Sequence, residues 1–223
     1  MSRDEILGKV RSAMGTTASP AERRQLAEAR IAAPPRVPPI GRVSVPEAEL
    51  PAVFKSEMTR QLAHVVEAGN SLPQAIAAYL EDAGLPPVLR CGDDPRLARL
   101  PWHEAPNLTL NKGPARGDDP IGLSHAFAGI AETGTLAMLS GADNPVTLCF
   151  LPDTHIVVVR RSDIVGSYED AHARLRRHLG AGQMPRTLNL ISGPSRTADI
   201  GGKIVIGAHG PRRMCVIIDG TEG

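Results

Sequence analysis

The chain has 223 residues, 42% hydrophobic and 22% charged, with a formal net charge of +1, a composition that fits a folded globular protein and neither a disordered nor a membrane-embedded one. Near-neutral charge with only three Phe, two Tyr and one Trp argues against a dedicated nucleic-acid binder, which needs a basic face and stacking platforms. Cys91, Cys149 and Cys215 form no CxxC pair, so no iron–sulfur or structural zinc motif is present, and no metal site or resident cofactor is expected in this chain.

The start MSRDEILGKV is too charged for a leader, and no apolar run nears the roughly 20 residues of a membrane span. With unpaired cysteines among apolar neighbours, these features predict a cytoplasmic protein without a transmembrane segment. The length allows one full α/β domain with an appendage.

In chain order, Ser2 can cap a helix to about Met14, with Glu5 completing a capping box and Gly15 ending it. A second charged helix is expected over 20–31. Pro34, Pro35, Pro38, Pro39, Pro46 and Pro51 then predict an extended arm over 34–51, either lying on a surface or partner or acting as a plain linker. Residues 1–51 thus form an N-terminal extension and 52–223 the α/β domain. Val53, Phe54, Met58, Leu62, Val65 and Val66 recur at helical spacing and predict one helix from Val53 to Ala68. Another is expected at about 73–83, closed by Gly84, then a short strand at 88–91 and at most a weak one at 108–110.

The second half contains brief apolar runs at 121–124, 135–139, 146–150, 155–160, 188–191, 204–206 and 214–218, bounded by Gly, Pro or Asp. They predict central strands of a mixed, largely parallel sheet with flanking helices. Helices are expected at 125–131 and 168–179, the latter exposing Arg174, Arg176 and Arg177 as a solvated face.

Chemistry concentrates in three places. Glu132, Thr133, Gly134 and Thr135 occupy a junction of small residues leading into a strand. Glu132 either points into a cleft, where desolvation would suit it to base or nucleophile work, or merely caps a turn. Ser192, Gly193, Ser195, Arg196, Thr197 and Asp199 crowd the loop after a buried strand. At the start of a short helical turn, its free N–H groups with the hydroxyls and Arg196 would hold an anion, unless Ser195 is only a cap and Asp199 only a partner for Arg196. The loop has no GxxxxGK[ST] order, so it is not a nucleoside-triphosphate cradle. His209 and Gly210 lie in a third turn, GAHGPR, where an imidazole can shuttle protons or serve structure alone. Ser195, His209 and Asp199 lack the G-x-S-x-G elbow of a hydrolase, and His103, His125 and His155 lack metal-ligand spacing.

AETGTL at 131–136, ISGPSRTADI at 191–200 and GAHGPRRM at 207–214, after an N-terminal EILGKVRSAM, resemble the LUD-domain family over essentially the whole chain. The resemblance implies a NagB/RpiA/CoA-transferase-like core with ligand loops at strand ends. It implies a role in oxidising L-lactate to pyruvate beside other lactate-utilisation subunits, one of them carrying iron–sulfur clusters, with a small anionic ligand here. Glu132-Thr133-Gly134 is also similar to the glutamate that attacks acyl groups in CoA transferases, an analogy of fold alone. An acyl transferase using Glu132 and a non-catalytic adaptor both stay open.

Overall fold

A computed structural model describes residues 2–13, 15, 18–33, 38–180, 182–200 and 203–220, without the side chains of 198–200. The chain falls into two units, Met1–Pro38 and Pro39–Gly223. In the first, helix α1 (Arg3–Ala13) opens on the expected box, Glu5 N–H donating to Ser2 Oγ at 3.3 Å and Ser2 N–H to Glu5 Oε2 at 2.6 Å. Helix α2 (Pro20–Ala32) repeats the device with Ser19 and Glu22. Neither helix buries a residue, so caps and intrinsic propensity carry them.

The second unit starts at Pro39. Residues 34–37 of the expected arm lie outside the described residues. Beyond them the arm is not extended: it makes 3-10 turns at Gly41–Val43 and Glu47–Glu49 and buries Val43 and Leu50 in the core. Pro51 falls in the first turn of helix α3 (Leu50–Arg60), where its fixed φ suits a helix and its missing N–H costs nothing.

Helix α3 ends well short of Ala68. Leu62 turns the chain at φ 68°, and strand β1 (His64–Glu67) follows. Val65 and Val66 fit the helical period of α3, but both are β-branched and pair in parallel with a neighbouring strand.

Onward come α4 (Leu72–Asp82, capped by Ser71), β2 (Val88–Cys91), the short α5 (Pro95–Ala98), β3 (Thr109–Lys112) and β4 (Ile121–His125). Then follow β5 (Ala128–Ile130), β6 (Thr135–Leu139), β7 (Thr154–Arg160), β8 (Ile164–Val165) and α6 (Tyr168–Leu179). The last strands are β9 (Leu188–Ile191), β10 (Arg196–Ile200), β11 (Lys203–Ile206) and β12 (Arg213–Asp219).

Six strands form a parallel sheet in the order β1-β12-β7-β4-β2-β3. A second sheet, β8-β5-β6-β9, is mixed, and β10-β11 is a separate hairpin. Alternation along β7 and β12 explains the layers. Val157, Val159, Val216 and Ile218 pack with Phe54 and Met58 of α3 and with Leu136 and Met138 of the smaller sheet. Ile156, Val158, Cys215 and Ile217 pack on the other face with Leu72, Ile76 and Leu80 of α4. Fully buried side chains such as Phe54 and Ile76 each contribute about 1.5–3 kcal/mol by leaving water.

Three further expectations are corrected. Residues 125–131 are not a helix: β4 ends at His125 and Ala128–Ile130 is a strand, with Gly129 closely faced by Phe54 and Ile164. Residues 146–150 form a 3-10 turn over Val146–Cys149, between Pro145 and Pro152, with the Leu148 carbonyl pressed on Gly122. The 204–206 run is no central strand, because Ile204 is 70% and Ile206 48% exposed in the hairpin.

Candidate functional site

The β5–β6 turn holds the first predicted group. Gly134 has φ 61°, and a Cβ there would sit 2.5 Å from Met58 N, so the turn lies directly on the last turns of α3. Glu132 Oε1 accepts the Tyr168 N–H at 2.9 Å, and the Glu132 carbonyl accepts from Arg42 at 3.3 Å. Its carboxylate therefore ties down the amino end of α6, where a negative charge is favoured by the unpaired N–H groups and the helix dipole.

Thr133 and Thr135 bring their hydroxyls to the phenol of the same Tyr168. Thr133 Oγ1 lies 2.7 Å from Thr135 Oγ1 and donates to Tyr168 OH at 3.1 Å. Thr135 Oγ1 also meets Tyr168 OH at 3.1 Å and Ser192 Oγ at 2.6 Å. Thr135 is fully buried, and its oxygen is the hub. A hydroxyl has one donor and two acceptor sites, so one arrangement satisfies every contact: Thr133 donates to Tyr168, Tyr168 to Thr135, Thr135 to Thr133, and Ser192 to Thr135. Ser192 is exposed, so the cluster ends at the protein surface.

The loop that follows differs from its expectation. It does not open a helical turn: Arg196–Ile200 is strand β10, paired with β11. Its N–H groups are not gathered for an anion, since Ser195 N–H donates to the Pro211 carbonyl at 2.9 Å. Gly193, at φ 88°, packs against the Gln61 carbonyl, and Arg196 donates to Gln61 Oε1 at 2.9 Å. Ser195 Oγ accepts the His209 N–H at 3.4 Å, and Gly210 lies against the Ser195 side chain. Thr197 is half-buried and pairs with Val205; the Asp199 side chain lies outside the described residues.

The structure thus joins Thr133, Thr135 and Ser192, and separately Ser195, His209 and Gly210. No hydrogen bond among the described residues links Glu132 to Ser195 or His209. All these groups lie toward the amino ends of the parallel strands: the 207–212 turn runs straight into β12, and Arg213 pairs with Asp153 just before β7 at 2.8 Å. Tyr168 is the member that sequence reasoning missed. Only its place at the head of a capped helix marked it, and that pattern carries no chemical signal.

Comparison with known proteins identifies the family of the fold. The LUD domain matches residues 52–218. Lactate utilization protein C of Geobacillus thermodenitrificans is 32% identical over 169 residues, 68% of each chain. The protein of the same name from Shouchella clausii is 33% identical over 98 residues, 44% of this chain and 43% of its own length. The matched stretch thus spans under half of that relative. A crystal structure of a DUF162 family protein from Deinococcus radiodurans superimposes with a TM-score of 0.55 at 28% identity, covering 79% of this chain and 99% of that one. With the family domain filling most of its length, this chain belongs to the LUD-domain family.

Proposed function

We propose that the chain is a subunit of an L-lactate oxidation system, working with an iron–sulfur partner and holding a small anionic ligand beside Ser192, Ser195, Arg196 and His209. The observation that carries this reading is the similarity to Geobacillus thermodenitrificans lactate utilization protein C over 68% of both chains. Oxidation of lactate to pyruvate releases a pair of electrons and a pair of protons. In this reading the partner's clusters would take up the electrons, and this chain contributes binding and polar positioning.

Ser192 suits such a surface because it is exposed yet hydrogen-bonded to the buried Thr135, whose hydroxyl also meets Tyr168. Arg196 supplies a guanidinium and His209 an exposed imidazole on the neighbouring turn. The acyl-transfer reading draws less support, since one oxygen of Glu132 is engaged with the amino end of α6. Reconstitution tests the assignment. Lactate-dependent pyruvate formation by the purified partner subunits should require this chain and return when it is added back. An equal rate without it would refute the role.

A further inference from the structure

The carboxyl ends of the parallel strands carry a separate set of side chains, none of them from the three motifs. After β2 the chain passes Asp94 into α5, whose Leu97 packs with α4. After β4 it passes Ala126, which packs on the opposite face with α3. Neighbours β2 and β4 therefore send their connections to opposite faces, and a crevice opens where they part, the place where open parallel sheets receive ligands. Two cavities of about 470 Å³ and about 420 Å³ lie there and share Arg96 and His125 in their walls.

These walls are built. Asp94 is 1% exposed and accepts from Arg96 Nε at 3.0 Å, Arg96 Nη2 at 2.6 Å and the Arg96 backbone N–H at 2.8 Å. Burial pushes its carboxyl up, but these bonds and the guanidinium charge outweigh burial and hold it below the usual carboxylate range. Arg96 is thereby fixed as a fork at the boundary of the two cavities. Arg99 and Arg160 line the smaller one with no carboxylate partner among the described residues, and Asp219 is the acidic residue in the same wall.

His125, 3% exposed, lies between the halves. Its Nδ1 is 2.8 Å from the Ala126 carbonyl, which can only accept. The ring hydrogen therefore sits on Nδ1, and Nε2 carries the lone pair. Burial pushes the imidazole pKa down to about 4, so the ring is neutral near pH 7. The larger cavity continues with Ser140, Asp143 and Asn144, side chains able to bond further hydroxyls.

We propose that this crevice is a second ligand site, taking a small hydroxylated anion whose carboxylate or phosphate is held by Arg96, Arg99 and Arg160 while a hydroxyl donates to His125 Nε2. Guanidinium groups are donors only and match an anion's oxygens. An imidazole acceptor among them adds a bond that only a ligand carrying a hydroxyl makes directly. An anion without hydroxyls forgoes that bond and binds roughly tenfold more weakly. The site does not depend on the lactate role proposed above.

The test titrates the full chain with L-lactate and glycerol 3-phosphate, each beside its comparator without hydroxyls, propionate and propyl phosphate. At least one hydroxylated probe should bind roughly tenfold or more tightly than its comparator, and which one does identifies a carboxylate or a phosphate ligand. Binding should move the ¹⁵N resonance of His125 Nε2 in the unsubstituted protein. It should weaken about tenfold in Arg160→Gln, the loss of one charge-assisted pair, and stay unchanged in Lys55→Gln, at a surface cation on α3. No saturable binding of any probe would overturn the proposal. So would affinities that ignore the hydroxyl, or binding that leaves the His125 resonance unmoved.

Discussion

Thr135 shows what a single oxygen can organise. It is fully buried and within 3.1 Å of three other hydroxyls. Thr135→Val keeps the shape but strips the hub, leaving Thr133 and Tyr168 short of partners. The expected loss is about 1–3 kcal/mol of unfolding free energy, read by urea denaturation. Ser192→Ala, at the exposed end, should cost less than about 1 kcal/mol. The letters ETGT and SGPS were visible in the sequence as polar, small-residue clusters. Their meeting was not, because Thr135 and Ser192 are 57 positions apart and only the antiparallel register of β6 with β9, Leu136 opposite Ile191, brings them together. Glu132 was equally visible, but its tie to Tyr168 N–H depends on where α6 begins in space.

At the level of elements, caps and periodicity carried the reading far. Helix α6 falls at 168–179 as expected from its apolar stripe, and α4, β2, β6 and β9 appear within a residue or so of their predicted limits. The failures share a cause. Runs such as 53–68 and 125–131 suit either period, and pairing across a sheet, which lies outside the local sequence, decides them. The β5–β6 turn is held by a close approach of this tertiary kind. Gly134 and Gly84 both sit at φ 61°, but a Cβ at Gly84 meets open space whereas at Gly134 it meets the α3 backbone. Gly84→Ala should therefore cost about 1 kcal/mol, the left-handed penalty alone. Gly134→Ala should cost about 3 kcal/mol or more, because steric overlap is added. Equal losses in the two variants, measured by denaturation, would mean that the turn does not rest on α3.

For the whole molecule, the central sheet buries two histidines that water would charge. His155 is fully buried, with burial pushing its pKa down to about 3. His125 is lowered to about 4 by burial first and by the Arg96 charge second, against the opposing pull of the Ala126 carbonyl, Asp94 and Asp163. Both folded values lie below the unfolded value of about 6.5, so the unfolded chain takes up protons that the folded chain refuses. Stability is therefore complete above the unfolded value and declines as pH falls toward the folded ones. The expected loss is about 2 kcal/mol per histidine between pH 6.5 and 5. Asp94, with its carboxyl lowered, acts in another window: its contribution is present above the unfolded value of about 3.9 and is lost only below it. Urea midpoints at pH 7 and pH 5 check this, and His155→Gln should flatten the slope by about half.

The same sheet has two chemically different edges, the family motifs toward its amino ends and a crevice with arginines at its carboxyl ends. The motifs were legible as unusual sequence. Asp94, Arg96 and His125 were not, because each looks like an ordinary loop or strand-end residue until the switch between β2 and β4 gathers them. The most direct measurement of the proposed role is lactate-dependent pyruvate formation by the partner subunits reconstituted with a Ser192→Ala, Arg196→Ala, His209→Ala chain of unchanged unfolding midpoint. A rate at least about tenfold below that of the unsubstituted chain, some 1.4 kcal/mol of lost stabilisation, is the expected result; an undiminished rate would contradict the assignment of this surface.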